Sequence, residues 1–184
     1  MKAIIFNGAL ERRASSTSSL ISSYLVERLE KFGVDASLFN LVDSGIPLFD
    51  ISLVNTPKGV EVMNHIFREA DMHFWLAPLY HGSIPGVMKN CLDWLELSAK
   101  EMRPYLSDKT IGLICWAGGA QAMQGINSMD MIAKSLRAWT IPFSVPIIKS
   151  ELVDHTRVGE ISAKYKAKLD LLVKLAATKK ITTI

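Results

Sequence analysis

Three short apolar runs, each closed by a turn signal, do most to limit what this chain can fold into. Lys2-Ala-Ile-Ile-Phe-Asn7 stops at Gly8, Asp71-Met-His-Phe-Trp-Leu-Ala77 at Pro78, and Thr110-Ile-Gly-Leu-Ile-Cys-Trp116 at Ala117-Gly118-Gly119. None alternates apolar with polar residues, so each reads as a strand covered on both faces. Val34 to Leu41 alternates better and suits a strand nearer an edge. Ile141 to Ile148 carries Pro142 and Pro146, which imply an edge or irregular pairing.

Between these runs lie helical periods. Ser18 to Phe32 places Leu20, Ile21, Tyr24, Leu25, Leu29 and Phe32 on one stripe and stops at Gly33. Lys58 to Ala70 points Val62, Ile66 and Phe67 inward. Pro85 opens a helix running to about Leu97, because its missing N–H is not needed in a first turn. Gln121 to Trp139 carries Met129, Ile132, Ala133 and Leu136, and Gly159 to Thr178 carries Ile161, Tyr165, Leu169, Leu172 and Ala176. Residues 42–57 and 98–108 are connections. Five strands alternating with five helices predict one α/β domain over residues 1–184, with a parallel sheet covered on both faces. Right-handed crossovers leave few topologies, of which the order 2-1-3-4-5 is expected. A ligand then binds beyond the carboxyl ends of strands 1, 3 and 4, on the loops at residues 8–17, 78–84 and 117–125.

Bulk properties narrow the function classes. With 21 basic and 18 acidic residues the net charge is only +3, and no clustered basic stripe marks a nucleic-acid face. The Lys179-Lys180 pair is expected in a solvated tail. Cys91 and Cys115 lie in apolar stretches without metal-type spacing, as buried thiols of a reducing compartment do. The first residues do not have the form of a signal peptide, and no apolar run nears the length of about 20 residues that spans a membrane. The expected location is the cytoplasm.

The first loop, Gly8 to Ser19, is rich in hydroxyls, carries Arg12 and Arg13, and runs into a helix. That arrangement suits a phosphate, through orphan N–H groups and the helix dipole. It equally suits a plain N-cap cluster. It contains neither a P-loop nor a G-x-G-x-x-G fingerprint. The second loop offers Tyr80 as a flat wall and its backbone as hydrogen-bonding groups for a planar ring edge. His81 has no carboxylate close in sequence to orient it, so a backbone or solvent role is the better reading. Lys89, Asn90 and Asp93 belong to a helix face or an interface. In the third loop Gly118 and Gly119 permit close backbone approach, whether to a ligand or merely in a strand-to-helix turn. Taken together, the loops suggest a phosphate at one end and a flat heteroaromatic at the other, which describes flavin mononucleotide (FMN). A flavin brings its own redox chemistry, so the lack of an acid–base pair is no obstacle.

The segment P-L-Y-H-G-S-I-P-G-V-M-K-N-C-L-D-W, Pro78 to Trp94, resembles the P-x-Y-x-x-S-x-P-G-x-L-K-N-x-L-D-W pattern of the NAD(P)H-dependent FMN reductase family. I-P-L-F-D, Ile46 to Asp50, also resembles a stretch that follows the family's second strand. The first loop is similar to the family's G-S-x-R-x-x-S-x-T/N loop, with Ala9 where a serine is usual and Arg12, Ser15 and Thr17 one residue late. The resemblance implies a flavodoxin-like three-layer sandwich. It implies an FMN phosphate on Gly8, Ala9, Arg12 (or Arg13), Ser15, Ser16 and Thr17. The ring would lie on Pro78, Leu79, Tyr80, His81, Gly82 and Ser83, with Ala117, Gly118 and Gly119 on the pyrimidine side. NADPH or NADH would donate hydride to the flavin, which would reduce a flavin, quinone, azo or metal-oxyanion acceptor. No protein side chain would be catalytic in its own right. The resemblance also implies a homodimer or homotetramer, with Trp94, Leu95 and Leu97 as interface candidates beside a core placement. Two other readings on the same fold are a non-catalytic FMN-binding electron carrier and a flavin-binding subunit. A receiver domain is excluded, because the first and third strands end in Asn7-Gly8 and Ala77-Pro78 rather than in carboxylates.

Overall fold

The computed structural model describes residues 1–154 and 159–178. Its elements are β1 (Lys2–Asn7), α1 (Thr17–Lys31), β2 (Asp35–Asn40), α2 (Lys58–Glu69), β3 (Met72–Pro78), α3 (Gly86–Asp93), β4 (Thr110–Ala117), α4 (Ala122–Ser135), β5 (Trp139–Ile148) and α5 (Ala163–Thr178). Short 3-10 turns follow β2, α3 and β5, at Leu41–Asp43, Trp94–Ser98 and Lys149–Glu151. The strands are parallel in the order β2-β1-β3-β4-β5, as the alternation predicts.

Every residue of β3 and β4 is buried, which is why their sequences do not alternate. One face packs Ala3, Ile5, Phe74, Leu76 and Ile114 against Ile21, Leu25 and Leu29 of α1 and Leu169, Leu172 and Val173 of α5. The other face packs Ile4, Phe6, Trp75 and Cys115 against α2, α3 and α4. Each fully buried Leu, Ile or Phe here contributes about 1.5–3 kcal/mol relative to exposure. Both proline expectations for the last strand hold: β5 is an edge, and its pairing is irregular. Ile111 pairs with Thr140 but Leu113 with Ser144, so Pro142 sits in a bulge.

Several boundaries and faces differ from the sequence reading. The helix expected to reach Trp139 stops at Ser135. Arg137 takes φ 64°, and Ala138 N–H closes onto Ala133 O at 3.0 Å, a left-handed helix stop without glycine. Trp139 instead opens β5, its N–H on Lys109 O at 2.8 Å. The helix entered at Pro85 gives way to a 3-10 turn after Asp93 rather than continuing to Leu97. Phe32 caps α1 and is 41% exposed, and Val62 is 45% exposed because α2 buries Val60, Met63 and Phe67 instead. Trp94 and Leu95 belong to the core, and of the three interface candidates Leu97 alone is exposed. Lys179-Lys180 lies outside the described residues. Among the described residues no helix is long and apolar enough to cross a membrane.

Candidate functional site

The three loops lie at the carboxyl ends of β1, β3 and β4, the point where strand order reverses. At the first, Gly8 N–H extends the ladder to Leu76 O at 2.9 Å. A Cβ at Gly8 would fall 2.4 Å from Met88 Sδ, so any larger residue there would displace the Met88 side chain of α3. Ala9 is buried with its methyl in the core, and its N–H goes to Asn7 Oδ1 at 3.1 Å. The chain then loops outward through exposed Arg12, Arg13, Ala14 and Ser15. It returns because Arg13 O accepts Ser16 N–H at 2.9 Å and Ser19 Oγ at 3.1 Å.

Ser16 is the N-cap of α1, and its Oγ accepts Ser19 N–H at 3.1 Å. The N–H groups of Thr17 and Ser18 have no acceptor among the described residues. The first turn of α1 holds no carboxylate to compete for them. The two arginines are paired with other groups. Arg12 donates to Val42 O at 2.7 Å and lies 3.6 Å from Asp43, while Arg13 pairs with Glu11.

The second loop is a tight turn. Tyr80 N–H donates to Ser83 O at 2.9 Å and Ser83 N–H to Tyr80 O at 3.0 Å. His81 at φ 48° and Gly82 at φ 86° fill its two central positions, the geometry of a type I′ turn. The Tyr80 N–H is therefore spent on the turn, and those of His81 and Gly82 are the donors left over. Leu79 N–H bonds Trp116 O at 2.8 Å, tying this loop to β4. Ser83 Oγ bonds Ser128 Oγ at 3.2 Å, tying it to α4. Pro78 is buried at the end of β3, and Tyr80 is 61% exposed.

In the third loop Ala117 is buried, and a Cβ on Gly118 would meet nothing within 4 Å, so open space faces it. The N–H groups of Gly118 and Gly119 also have no acceptor among the described residues. Gly125 brings α4 against the sheet: a Cβ there would sit 2.4 Å from Cys115 Sγ and 3.3 Å from Leu79.

The sequence reading missed Asn7, Asn40, Asp43 and Ser128, which hold these loops without lining them. One signal was available. β1 and β2 both end in Phe-Asn, and the register sets Phe6 beside Phe39 and Asn7 beside Asn40. Lys89 pairs with Asp93 on the surface. Asn90 instead pins the 42–57 connection, accepting Phe49 N–H at 2.7 Å and donating to Pro47 O at 2.8 Å.

The strongly perturbed groups lie off the loops. Burial pushes the Cys91 and Cys115 thiols up to about 12, so neither is a ready nucleophile. Burial lowers His73 to about 3, although its Nε2–H bonds Phe67 O at 2.8 Å. A cavity of about 340 Å³ opens at the opposite pole, at the amino ends of the strands, between His65, Arg68, Arg103 and Lys109. Its cations face Glu69 and Asp108, and Arg68 is paired with Glu101, so its charge is mixed. No group of three or more His, Cys, Asp or Glu that could hold a metal exists among the described residues.

Comparison with known proteins agrees with this geometry. The family model described as NADPH-dependent FMN reductase matches residues 1–151. The chain is 32% identical over 165 residues to NADPH-dependent FMN reductase ArsH of Acidithiobacillus ferrooxidans, covering 89% of this chain and 68% of that one. It is 31% identical over 147 residues to the Rhizobium meliloti protein of the same name, covering 80% of this chain but 58% of the relative's length. FMN-dependent NADPH-azoreductase of Staphylococcus saprophyticus is 27% identical over 150 residues, with 79% and 76% covered. Among solved structures, the flavoenzyme FerB of Paracoccus denitrificans superposes with a TM-score of 0.74 at 19% identity, covering 96% and 94% of the two chains. A Bacillus anthracis FMN-dependent NADH-azoreductase in complex with FMN gives 0.70 at 14% identity, covering 97% and 100%. These two likenesses show the flavodoxin-like fold. By the extent of the family match and the identity to its relatives, the chain belongs to the NADPH-dependent FMN reductase family, a family of FMN-using oxidoreductases.

Proposed function

We propose that this chain is an NAD(P)H-dependent oxidoreductase that holds FMN across its three carboxyl-end loops. The observation that carries the reading is the set of unpaired backbone N–H groups in those loops. They include Thr17 and Ser18 at the start of α1, His81 and Gly82 in the Tyr80–Ser83 turn, and Gly118 and Gly119 after β4, none of which has an acceptor among the described residues. The residues present suit the cofactor. The α1 donors, with the hydroxyls of Ser15 and Thr17, suit a phosphate dianion. The donors of the other two loops suit the polar edge of a planar ring, and the space in front of Gly118 admits one.

FMN, when bound, supplies the hydride and electron chemistry. The chain's own part is binding, orientation and electrostatics. The Tyr80–Ser83 turn, closed by two hydrogen bonds and fixed to β4 and α4, keeps its free N–H groups aimed without reorganisation. Gly118 and Gly119 N–H would favour negative charge beside them. The Tyr80 ring offers a flat wall, and no side chain is asked to move a proton. The family description supports NADPH as donor, with NADH the other candidate. The relatives' names support a flavin, azo or related acceptor, with quinones and metal oxyanions in the same class. Leu48, Ile51, Leu53 and Val54, exposed on the connection that crosses α3, support self-association as a homodimer or homotetramer. Two buried thiols with no disulfide suit a cytoplasmic setting.

The protein purified from cells tests this reading through its visible spectrum, followed by anaerobic NADPH and NADH in turn. Flavin absorbance near about 450 nm that bleaches with either nucleotide is expected. A colourless protein that also fails to bind added FMN refutes it. A yellow protein that neither nucleotide bleaches points instead to an electron carrier or a flavin-binding subunit.

A further inference from the structure

The first loop is tethered at its root and again at Arg12 to one short turn that makes no hydrogen bond to the free donors. At its root, Asn7 is 3% exposed, its Oδ1 accepts Ala9 N–H at 3.1 Å, and its Nδ2 donates to Asn40 Oδ1 at 3.0 Å. At its outer span, Arg12 reaches across to donate to Val42 O at 2.7 Å and lies 3.6 Å from Asp43 Oδ1. Asn40 ends β2, and Val42 and Asp43 form the 3-10 turn that follows it. Beyond the second tie the chain is exposed from Arg12 to Ser15.

We propose that the Asn40–Asp43 turn is the positioning element of the phosphate loop, and that Arg12 works through it as a latch rather than as a ligand of the phosphate. The proposal rests on the FMN reading above. An anion at the start of α1 is met by N–H groups and hydroxyls, which hold it only while residues 9–16 stay folded back. The guanidinium stabilises that fold by giving Nη2 to a carbonyl beside a carboxylate, a charge-assisted contact.

Asp43 decides between the two roles by sign. If Arg12 ligated the phosphate directly, Asp43 would compete for its charge and repel the dianion, so removing Asp43 would tighten FMN. If Arg12 is a latch, Asp43 is half of it, and removal loosens FMN. Affinities of the flavin-free protein for FMN and for riboflavin, which has no phosphate, are measured by quenching of flavin fluorescence. The variants are Asp43→Ala, Asp43→Asn, Arg12→Ala, Arg12→Lys and Asp43→Ala/Arg12→Ala. Both Asp43 and Arg12 side chains are well exposed, so the fold survives their loss.

FMN is expected to weaken about threefold in both Asp43 variants, within the worth of an exposed ion pair. About tenfold is expected in Arg12→Ala, where the hydrogen bond to Val42 O is lost as well. Arg12→Lys recovers part of that loss. The double variant is no weaker than Arg12→Ala alone, since both residues serve one contact. Riboflavin affinity stays unchanged, and the salt dependence of FMN binding is the same in wild type and Arg12→Ala. Unchanged or tighter FMN in Asp43→Ala, or a salt slope that flattens in Arg12→Ala, overturns the latch and makes Arg12 a phosphate ligand. Equal weakening of riboflavin overturns it as general collapse. A wild type that binds neither flavin fails the FMN reading itself, a result distinct from all of these.

Discussion

If the Tyr80–Ser83 turn works through its backbone, His81 is an awkward residue that can be improved. It holds φ 48° at the first central position of a type I′ turn, where Asn or Gly is favoured. The left-handed conformation costs a side-chain-bearing residue about 1–2 kcal/mol. Asn adopts it more readily, through local hydrogen bonding. Gly removes the cost but returns about 0.5–1 kcal/mol through the freedom of its unfolded chain. The His81 side chain is exposed, so no packing is lost by replacement. His81→Asn should therefore stabilise the flavin-free protein by about 0.5–1 kcal/mol, and His81→Gly by somewhat less. His81→Val, β-branched at positive φ, should destabilise by about 1–2 kcal/mol. For a chain of this size 1 kcal/mol moves Tm by about 2–4 °C, and urea unfolding gives the difference directly. FMN affinity should stay within about twofold in His81→Asn, because the N–H groups of residues 81 and 82 are kept. NADPH turnover should stay with it, because the imidazole has no assigned task. Two outcomes refute the reasoning. Loss of stability in His81→Asn, or none in His81→Val, means the turn is not strained at His81. A tenfold fall in kcat/KM in His81→Asn with FMN affinity intact means the imidazole itself acts.

Three further predictions follow from groups away from the loops. His73 is lowered to about 3 by burial, so its neutral form is favoured in the folded state. Its contribution to stability is full above about pH 6.5 and is lost toward pH 3, at up to about 1.4 kcal/mol per pH unit. Urea unfolding between pH 6 and 5 should show that slope in wild type and lose it in His73→Gln; an unchanged slope in the variant removes His73 as its source. Gly125→Ala drives a methyl into Cys115 Sγ and should cost about 1–3 kcal/mol, largely restored in the Gly125→Ala/Cys115→Ala pair. Equal instability of single and double variants would place the strain elsewhere. Both thiols are buried and pushed up to about 12, so neither should react with an aromatic disulfide at pH 8 until the protein is unfolded, when both should react. Rapid labelling of the native protein contradicts the packing described.

What could be read from the sequence divides by the range of the interactions involved. Strands β1, β3 and β4 were legible because burial on both faces leaves nothing but apolar residues, and chain order then fixes the sheet with few alternatives. The end of α4 was hidden, because its left-handed stop falls on Arg137, which carries no such signal by residue type. Val62 and Phe32 misled because they are apolar residues outside the buried stripe: α2 turns Val60, Met63 and Phe67 inward, and Phe32 has already left the helix. The ties of the first loop were the least accessible. Arg12 meets its partner 30 residues on, and Asn7 meets its own 33 residues on, across a register that exists only after the sheet forms.

The same division explains why the second loop was the most recognisable part of the chain although no catalytic side chain was read in it. A site made of N–H groups, as proposed, would write nothing into side-chain identity. It would write instead into the residues that shape or clear the backbone. Gly82 supplies positive φ, and Gly118 leaves open space beside the backbone. Pro85 starts α3 without needing a donor, and Gly8 lets Met88 of α3 close against the first loop. In the sequence Tyr80 reads as a flat wall, His81 as a backbone or solvent residue and Lys89 as part of a helix face or an interface. In the structure Ser83 is an anchor to Ser128, Lys89 a surface pair with Asp93, and His81 a strained turn residue. Tyr80 is exposed, and a side-chain role, as a flat wall, is proposed for it alone. The motif from Pro78 to Trp94 is thus a record of backbone shape, and substitutions that alter φ there should harm flavin binding more than those that remove functional groups.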